Sequence, residues 1–155
     1  MSVRTYRIVK SKYAATAFDG EGARRFGGRW NSPGVAMVYT SATLSLAVLE
    51  ILVQLQTEAV LSAYVVYTVE ISNQQIEILD RSRLSPRWRS FPAPAELRAL
   101  GDDWTRRATS VALRVPSAVL GTEDNYLLNP LHPAFARLKI TGPEPLDVDT
   151  RLFRS

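Results

Sequence analysis

A chain of 155 residues with 46% hydrophobic side chains carries enough apolar material for one core, so a single domain over 1–155 is expected. It has no cysteine, which excludes a disulfide framework and a thiolate metal site; Met1 to Arg7 lacks the apolar stretch of a secretory leader, and the expected place is the cytoplasm. The net charge of +4 comes from 19 Lys+Arg against 15 Asp+Glu, almost all of the cations being arginine, the residue suited to phosphate and carboxylate forks.

Val3 to Val9 reads as a first strand with Tyr6 and Ile8 on one face and Arg7 on the other, an inward cation. Lys10 to Arg25 is polar, and its loop Phe18 to Gly22 leads into the turn-rich segment Gly27 to Gly34, which carries Arg29, Trp30 and Asn31. The two loops are expected to form one wall. Val35 to Thr40, including Tyr39, is a short strand, and Ser41-Ala42-Thr43 starts a helix in which Leu44, Ala47, Val48, Ile51, Leu52 and Leu55 recur at spacings of three and four. Glu50 is the only charged residue between Tyr39 and Thr57. A buried carboxylate without a partner costs several kcal/mol, so Glu50 needs either a cation or a ligand. The apolar run around it is broken by Glu50 and two glutamines and falls short of the about 20 residues that a membrane span requires, so no membrane contact is expected.

Leu61 to Ile71 is the clearest strand, and Ile76 to Leu79 is expected to pair with it through Ser72 to Gln75. Arg81, Arg83, Arg87 and Arg89 surround Trp88, a pattern that an RNA-binding patch would use, although Asp80, Asp102 and Asp103 blunt its field. Pro94 to Leu100 and Gly101 to Thr109 read as two short helices. Val111 to Leu120 is strand-like but contains Pro116, so it must lie at an edge or bend there, leaving Ser117 at an irregular spot. Glu123 to Pro133 is a polar loop, and Ala136 to Ile140 and Leu146 to Phe153 are further short strands. Six or seven short strands with a few flanking helices indicate an α+β fold with mostly antiparallel pairing.

Neither a phosphate-binding P-loop nor a dinucleotide G-x-G-x-x-G is present. His132 stands alone between two prolines, so no metal site is expected, and nothing around Ser117 has the form of a nucleophile elbow. What remains is Arg7, Arg29, Tyr39 and Glu50. Such a set suits cleavage of the bond between nicotinamide and ribose in NAD+. The leaving base is already cationic and departs neutral, so no general acid is required and one carboxylate suffices, where ordinary glycoside hydrolysis uses two. Arginines would fork the pyrophosphate and an aromatic ring would face the nicotinamide. The same residues also admit a structural reading, with Arg29 capping a loop, Tyr39 and Trp30 in the core, and Glu50 in an ion pair.

The run Gly20-Glu21-Gly22-Ala23-Arg24, then Gly27 to Gly34, Tyr39-Thr40-Ser41, Leu46-Ala47 and Glu50 resembles the RES domain of bacterial toxin–antitoxin systems. Arg114 to Val119 and Asn125 to Pro130 continue the likeness over nearly the whole chain. The family takes its name from an arginine, a glutamate and a serine, which fall here on Arg29, Glu50 and Ser117. The resemblance implies an ADP-ribosyltransferase-like fold and depletion of NAD+ by hydrolysis or phosphorolysis, or else transfer of ADP-ribose to a protein. Glu50 and Ser117 would be catalytic, with Arg7, Arg29, Tyr39, Trp30 and Asn31 around the substrate. NAD+ would be substrate, with no separate cofactor. It also implies a partner antitoxin of the helix-turn-helix Xre type that shields the pocket, any DNA contact being made by that partner.

Overall fold

The first strand and Tyr64 to Ile71 are rich in the β-branched and aromatic residues that favour sheet. The computed structural model describes residues 1–54 and 63–153. In it, β1 (Ser2–Lys10) runs antiparallel to β3 (Tyr64–Ser72) with every residue in register from Ser2↔Ser72 to Lys10↔Tyr64. These two extend a sheet completed by β2 (Val38–Ser41), β4 (Ile76–Ile78), β5 (Ala112–Pro116), β6 (Asp124–Leu128) and β7 (Lys139–Pro145), in the order β4-β5-β6-β2-β1-β3-β7. The helices are α1 (Glu21–Phe26), α2 (Leu44–Leu52) and α3 (Ala95–Arg107), so the fold is α+β as expected. No helix among the described residues is long and apolar enough to cross a membrane.

Register decides which side chains share a face. Tyr6 lies opposite Ser41, Ser41 opposite Asn125, and Asn125 opposite Val115, so these positions share one face with Tyr39 and Leu127 two residues along their strands. On that face α3 covers Leu113, Val115 and Leu127 with Leu97 and Trp104. Beside it α2 lays Val48, Ile51 and Leu52 on Ile8, Tyr64 and Val66. The other face buries Val38, Val69, Ile71, Ala112 and Leu128 against Ala134 and Leu138.

Several expectations are corrected. Ile76–Ile78 does not pair with the strand before it: β4 crosses to run parallel to β5, the one parallel pair in the sheet. The polar loop expected from Glu123 contains β6, an inner strand whose Tyr126, Leu127 and Leu128 are buried. Its asparagines and the following proline disguised it. The two short helices after Pro94 are one, α3, because Gly101 stays helical while packing on the backbone of Trp30. The last strand begins at Lys139 rather than Ala136, and Thr150–Phe153 forms a 3-10 turn rather than a strand. Pro116 closes β5 instead of bending a longer strand. Leu55 and Leu61, expected at a helix end and a strand start, lie outside the described residues.

Candidate active site

The loop from Gly27 to Gly34 is fixed by its own backbone and by three neighbours. Gly28 N–H donates to the Asn31 carbonyl at 2.9 Å and Gly34 N–H to that of Arg24 at 2.7 Å. Ser32 N–H donates to Asp102 on α3 at 2.9 Å. Inside the loop Asn31, 0% exposed, donates its amide to the Ala23 and Val35 carbonyls and accepts from the Tyr39 hydroxyl at 2.6 Å. That hydroxyl in turn accepts the Trp30 N–H at 3.1 Å. Gly28 passes so close that a Cβ there would sit 2.6 Å from the Tyr39 oxygen, which leaves room for glycine alone. Burial pushes the Tyr39 phenol well above the ordinary tyrosine value, the Trp30 N–H opposing it.

Trp30 is 2% exposed and belongs to the core cluster under α3. It and Asn31 were expected beside the substrate. Their side chains instead hold the loop from behind, and what the loop presents is Arg29. Its Nη1 donates to the carbonyls of Trp88 and Ser90, both at 3.0 Å, while Nε and Nη2 make no hydrogen bond among the described residues. Partial burial lowers the Arg29 pKa, and the negative charge of Glu50 is the first influence raising it, so the two groups lie within electrostatic reach of one another.

Glu50 stands on the last turn of α2, a helix whose Thr43 cap accepts the Leu46 N–H at 3.0 Å. One carboxylate oxygen, Oε1, accepts from Ser117 Oγ and from Asn125 Nδ2, each at 2.8 Å. Its second oxygen, Oε2, accepts nothing among the described residues. Ser117, 0% exposed, follows directly on β5. Its oxygen accepts the N–H groups of Val119 and Leu120, both at 3.1 Å, which leaves its single proton for Glu50. Asn125 stands on β6 opposite Ser41, whose hydroxyl donates to Asn125 Oδ1 at 2.8 Å.

Arg7 is where the strand reading put it, on the face opposite Tyr6 and Ser41, and therefore on the far side of the sheet from Glu50. Its Nε donates to the Ala17 carbonyl at 2.6 Å and Nη1 to that of Tyr39 at 2.9 Å, with the guanidinium 5.9 Å from the Phe18 ring centre. Burial depresses its pKa to about 10, with Asp19 opposing. The pyrophosphate contact expected of Arg7 is replaced by a brace on the backbone of Tyr39.

Of the four arginines around Trp88, which an RNA-binding alternative would use, Arg81 and Arg89 are drawn into the site's wall. Arg89 donates to the Ala118 carbonyl at 3.0 Å, and Arg81 pairs with Asp124 at 3.2 Å and lies over the Gly121 carbonyl. Trp88 is partly buried against the α3 core. Segment 81–90 therefore ties the Arg29 loop, through Trp88 and Ser90, to the Ser117 loop. Among the described residues no three His, Cys, Asp or Glu side chains are grouped to hold a metal.

These features define a class: an α+β scaffold that carries one carboxylate held from one side and, within its electrostatic reach, an arginine with donors uncommitted among the described residues. The RES domain model matches residues 4–149. A protein of Yersinia enterocolitica (serotype O:8 / biotype 1B), named Toxin Res, is 42% identical over 95% of this chain and 97% of its own length. A Sphingobium sp. (strain YBL2) protein named Prs ADP-ribosylating toxin is 32% identical over 99% of both. The fold is shared with a chain of the crystallised M. tuberculosis MbcT–MbcA toxin–antitoxin complex, with a TM-score of 0.76 at 21% identity, covering 94% of this chain and 85% of that one. The chain belongs to the RES domain family and stands among its toxins.

Of the residues named from sequence, Glu50 and Ser117 are hydrogen-bonded to one another; Asn125 and Ser41, which continue that network, were not named. Had Tyr126-Leu127-Leu128 been given the weight of a strand, alternation would have set Asn125 on the face of Leu127, towards Glu50.

Proposed function

We propose that this toxin consumes NAD+ by breaking the nicotinamide–ribose bond. The observation that carries the reading is the one-sided occupation of Glu50: Oε1 is saturated by Ser117 and Asn125, while Oε2 accepts nothing among the described residues and lies within electrostatic reach of Arg29. A carboxylate held in this way keeps its negative charge pointed at one place. As nicotinamide leaves, the ribosyl carbon becomes cationic, and a fixed anion beside it stabilises that state more than the ground state. Arg29, with Nε and Nη2 still available as donors, is the fork for the pyrophosphate. Tyr39 and its loop set where that fork stands.

Replacing Glu50 by Gln keeps the shape and removes the charge. A lost transition-state contact of about 3 to 4 kcal/mol lowers turnover by a few hundredfold. NAD+ consumption by purified Glu50→Gln protein should therefore nearly vanish while its melting temperature holds. NAD+ loss at the parent rate would remove Glu50 from the chemistry.

A second reading is favoured by the name of the Sphingobium relative: the same pocket and carboxylate would pass ADP-ribose to a protein. Mass spectrometry on incubated lysate separates the two, since a covalent ADP-ribose adduct has no place in hydrolysis or phosphorolysis. The complex in which the M. tuberculosis neighbour was crystallised supports an antitoxin as this chain's partner, and we take that partner to be of the helix-turn-helix type. Co-expression with the protein encoded next door, followed by co-purification, tests it.

A further inference from the structure

We infer that Asn125 and Ser41 form a positioning pair that sets the direction of the Glu50 carboxylate. The inference rests on the reading of Glu50 as the reacting carboxylate. An ionised carboxylate only accepts hydrogen bonds, so the Asn125 atom 2.8 Å from Glu50 Oε1 has to be the amide nitrogen. The Asn125 oxygen then faces Ser41, which donates to it at 2.8 Å. Neither amide orientation nor serine rotor is free: reversing the amide would set two oxygens against each other at Glu50. The pair lies on adjacent strands in direct register, Ser41↔Asn125, so its geometry is inherited from the rigid middle of the sheet. Ser117 provides the second donor from a loop, on the other side of the same oxygen. Together they occupy Oε1 and leave Oε2 as the oxygen without a partner among the described residues.

The ionisable groups on the elements around Glu50 are few. Arg29 acts on it electrostatically, Tyr6 shares its sheet face opposite Ser41, Glu123 is engaged by the Thr43 hydroxyl at 3.0 Å, and Asp124 is paired with Arg81 and Arg114. Asn125→Asp is nearly isosteric and adds one acid against Glu50. Two carboxyls in contact share a proton, and the second proton leaves at a raised pH. In the singly protonated pair the new carboxylic acid still donates to Glu50, so the site works; once both are ionised it does not. NAD+ turnover by Asn125→Asp, divided by that of the parent at each pH, should fall about tenfold or more between pH 5.5 and pH 8. Ser41→Ala, which removes only the donor behind Asn125, should lower kcat roughly fivefold to tenfold and leave KM within twofold. Ser41→Thr, which restores a hydroxyl, should recover most of that loss.

A ratio for Asn125→Asp that is flat with pH, or Ser41→Ala acting on KM alone, overturns the positioning role. If Asn125→Asp does not fold, the kcat-against-KM result for Ser41→Ala and its rescue by Ser41→Thr decide the matter. Glu50→Gln measured in parallel keeps two failures apart. If it retains activity, the catalytic reading itself falls; if it is dead while Asn125→Asp and Ser41→Ala match the parent, only the positioning pair falls.

Discussion

At the scale of single residues, the site is ordered by hydroxyls whose every role is assigned. Ser117 accepts two N–H groups and donates once; the Tyr39 hydroxyl accepts from Trp30 and donates to Asn31. Tyr39→Phe would leave the Trp30 N–H and the Asn31 oxygen buried without partners, at about 1 to 3 kcal/mol for each group not rescued by water. For a chain of this size a loss of about 2 kcal/mol lowers Tm by several degrees, which a thermal melt reads directly. A pH dependence follows as well. The folded Tyr39 pKa is raised above the unfolded value of about 10, so above that pH the folded state holds a proton that the unfolded state has lost, and stability falls as pH climbs. Tyr126 is raised in the same direction by burial and adds to the slope. Chemical denaturation from pH 8 upwards should show parent stability declining past about pH 10 and Tyr39→Phe declining less steeply.

At the scale of elements, legibility followed local composition and periodicity. β1 and β3 carry runs of β-branched and aromatic residues and α2 a three-four stripe, and each was placed from sequence to within a few residues. β6 was lost because Asn125 and Asn129 signal turns locally, whereas the sheet on both its sides overrides that preference through buried Tyr126, Leu127 and Leu128. The same error hid Asn125 from the site. The crossover of β4 to β5 is a tertiary fact with no local signature. α3 was cut in two at Gly101, since glycine weakens helices by about 1 kcal/mol relative to alanine. Its presence is explained by the neighbouring loop: a Cβ at Gly101 would lie 1.7 Å from the Trp30 carbonyl oxygen, on the element that carries Arg29. Gly101→Ala should therefore destabilise by about 2 kcal/mol or more despite the gain in helix propensity. Gly22→Ala on α1, where a Cβ meets nothing within 4 Å, should stabilise by about 0.5 to 1 kcal/mol. Melts of the two variants would have opposite signs, and a stabilised Gly101→Ala would show that the loop yields.

At the scale of the molecule, the start of the Ser117 loop and the start of β6 meet at one carboxylate, and the Arg29 loop acts on it electrostatically. What keeps the Arg29 and Ser117 loops in step is segment 81–90, whose backbone takes the Arg29 guanidinium and whose Arg81 and Arg89 take carbonyls of the Ser117 loop. From sequence these arginines around Trp88 were open to an RNA-binding reading, because composition cannot tell a free cation from one whose donors are committed. The two roles give opposite results for one double variant, Arg81→Ala with Arg89→Ala. Arg81 is largely exposed and its ion pair contributes on the order of 0 to 1 kcal/mol, so Tm should move little. The Ser117 loop, released from Arg81 and Arg89, would hold the Glu50 contact for a smaller share of the time. NAD+ turnover should then drop severalfold with KM for NAD+ near the parent value, and retention on single-stranded RNA at physiological salt should be the same for both proteins. An RNA affinity that falls steeply with salt and disappears in the double variant, with turnover intact, would instead make the cluster a nucleic-acid surface.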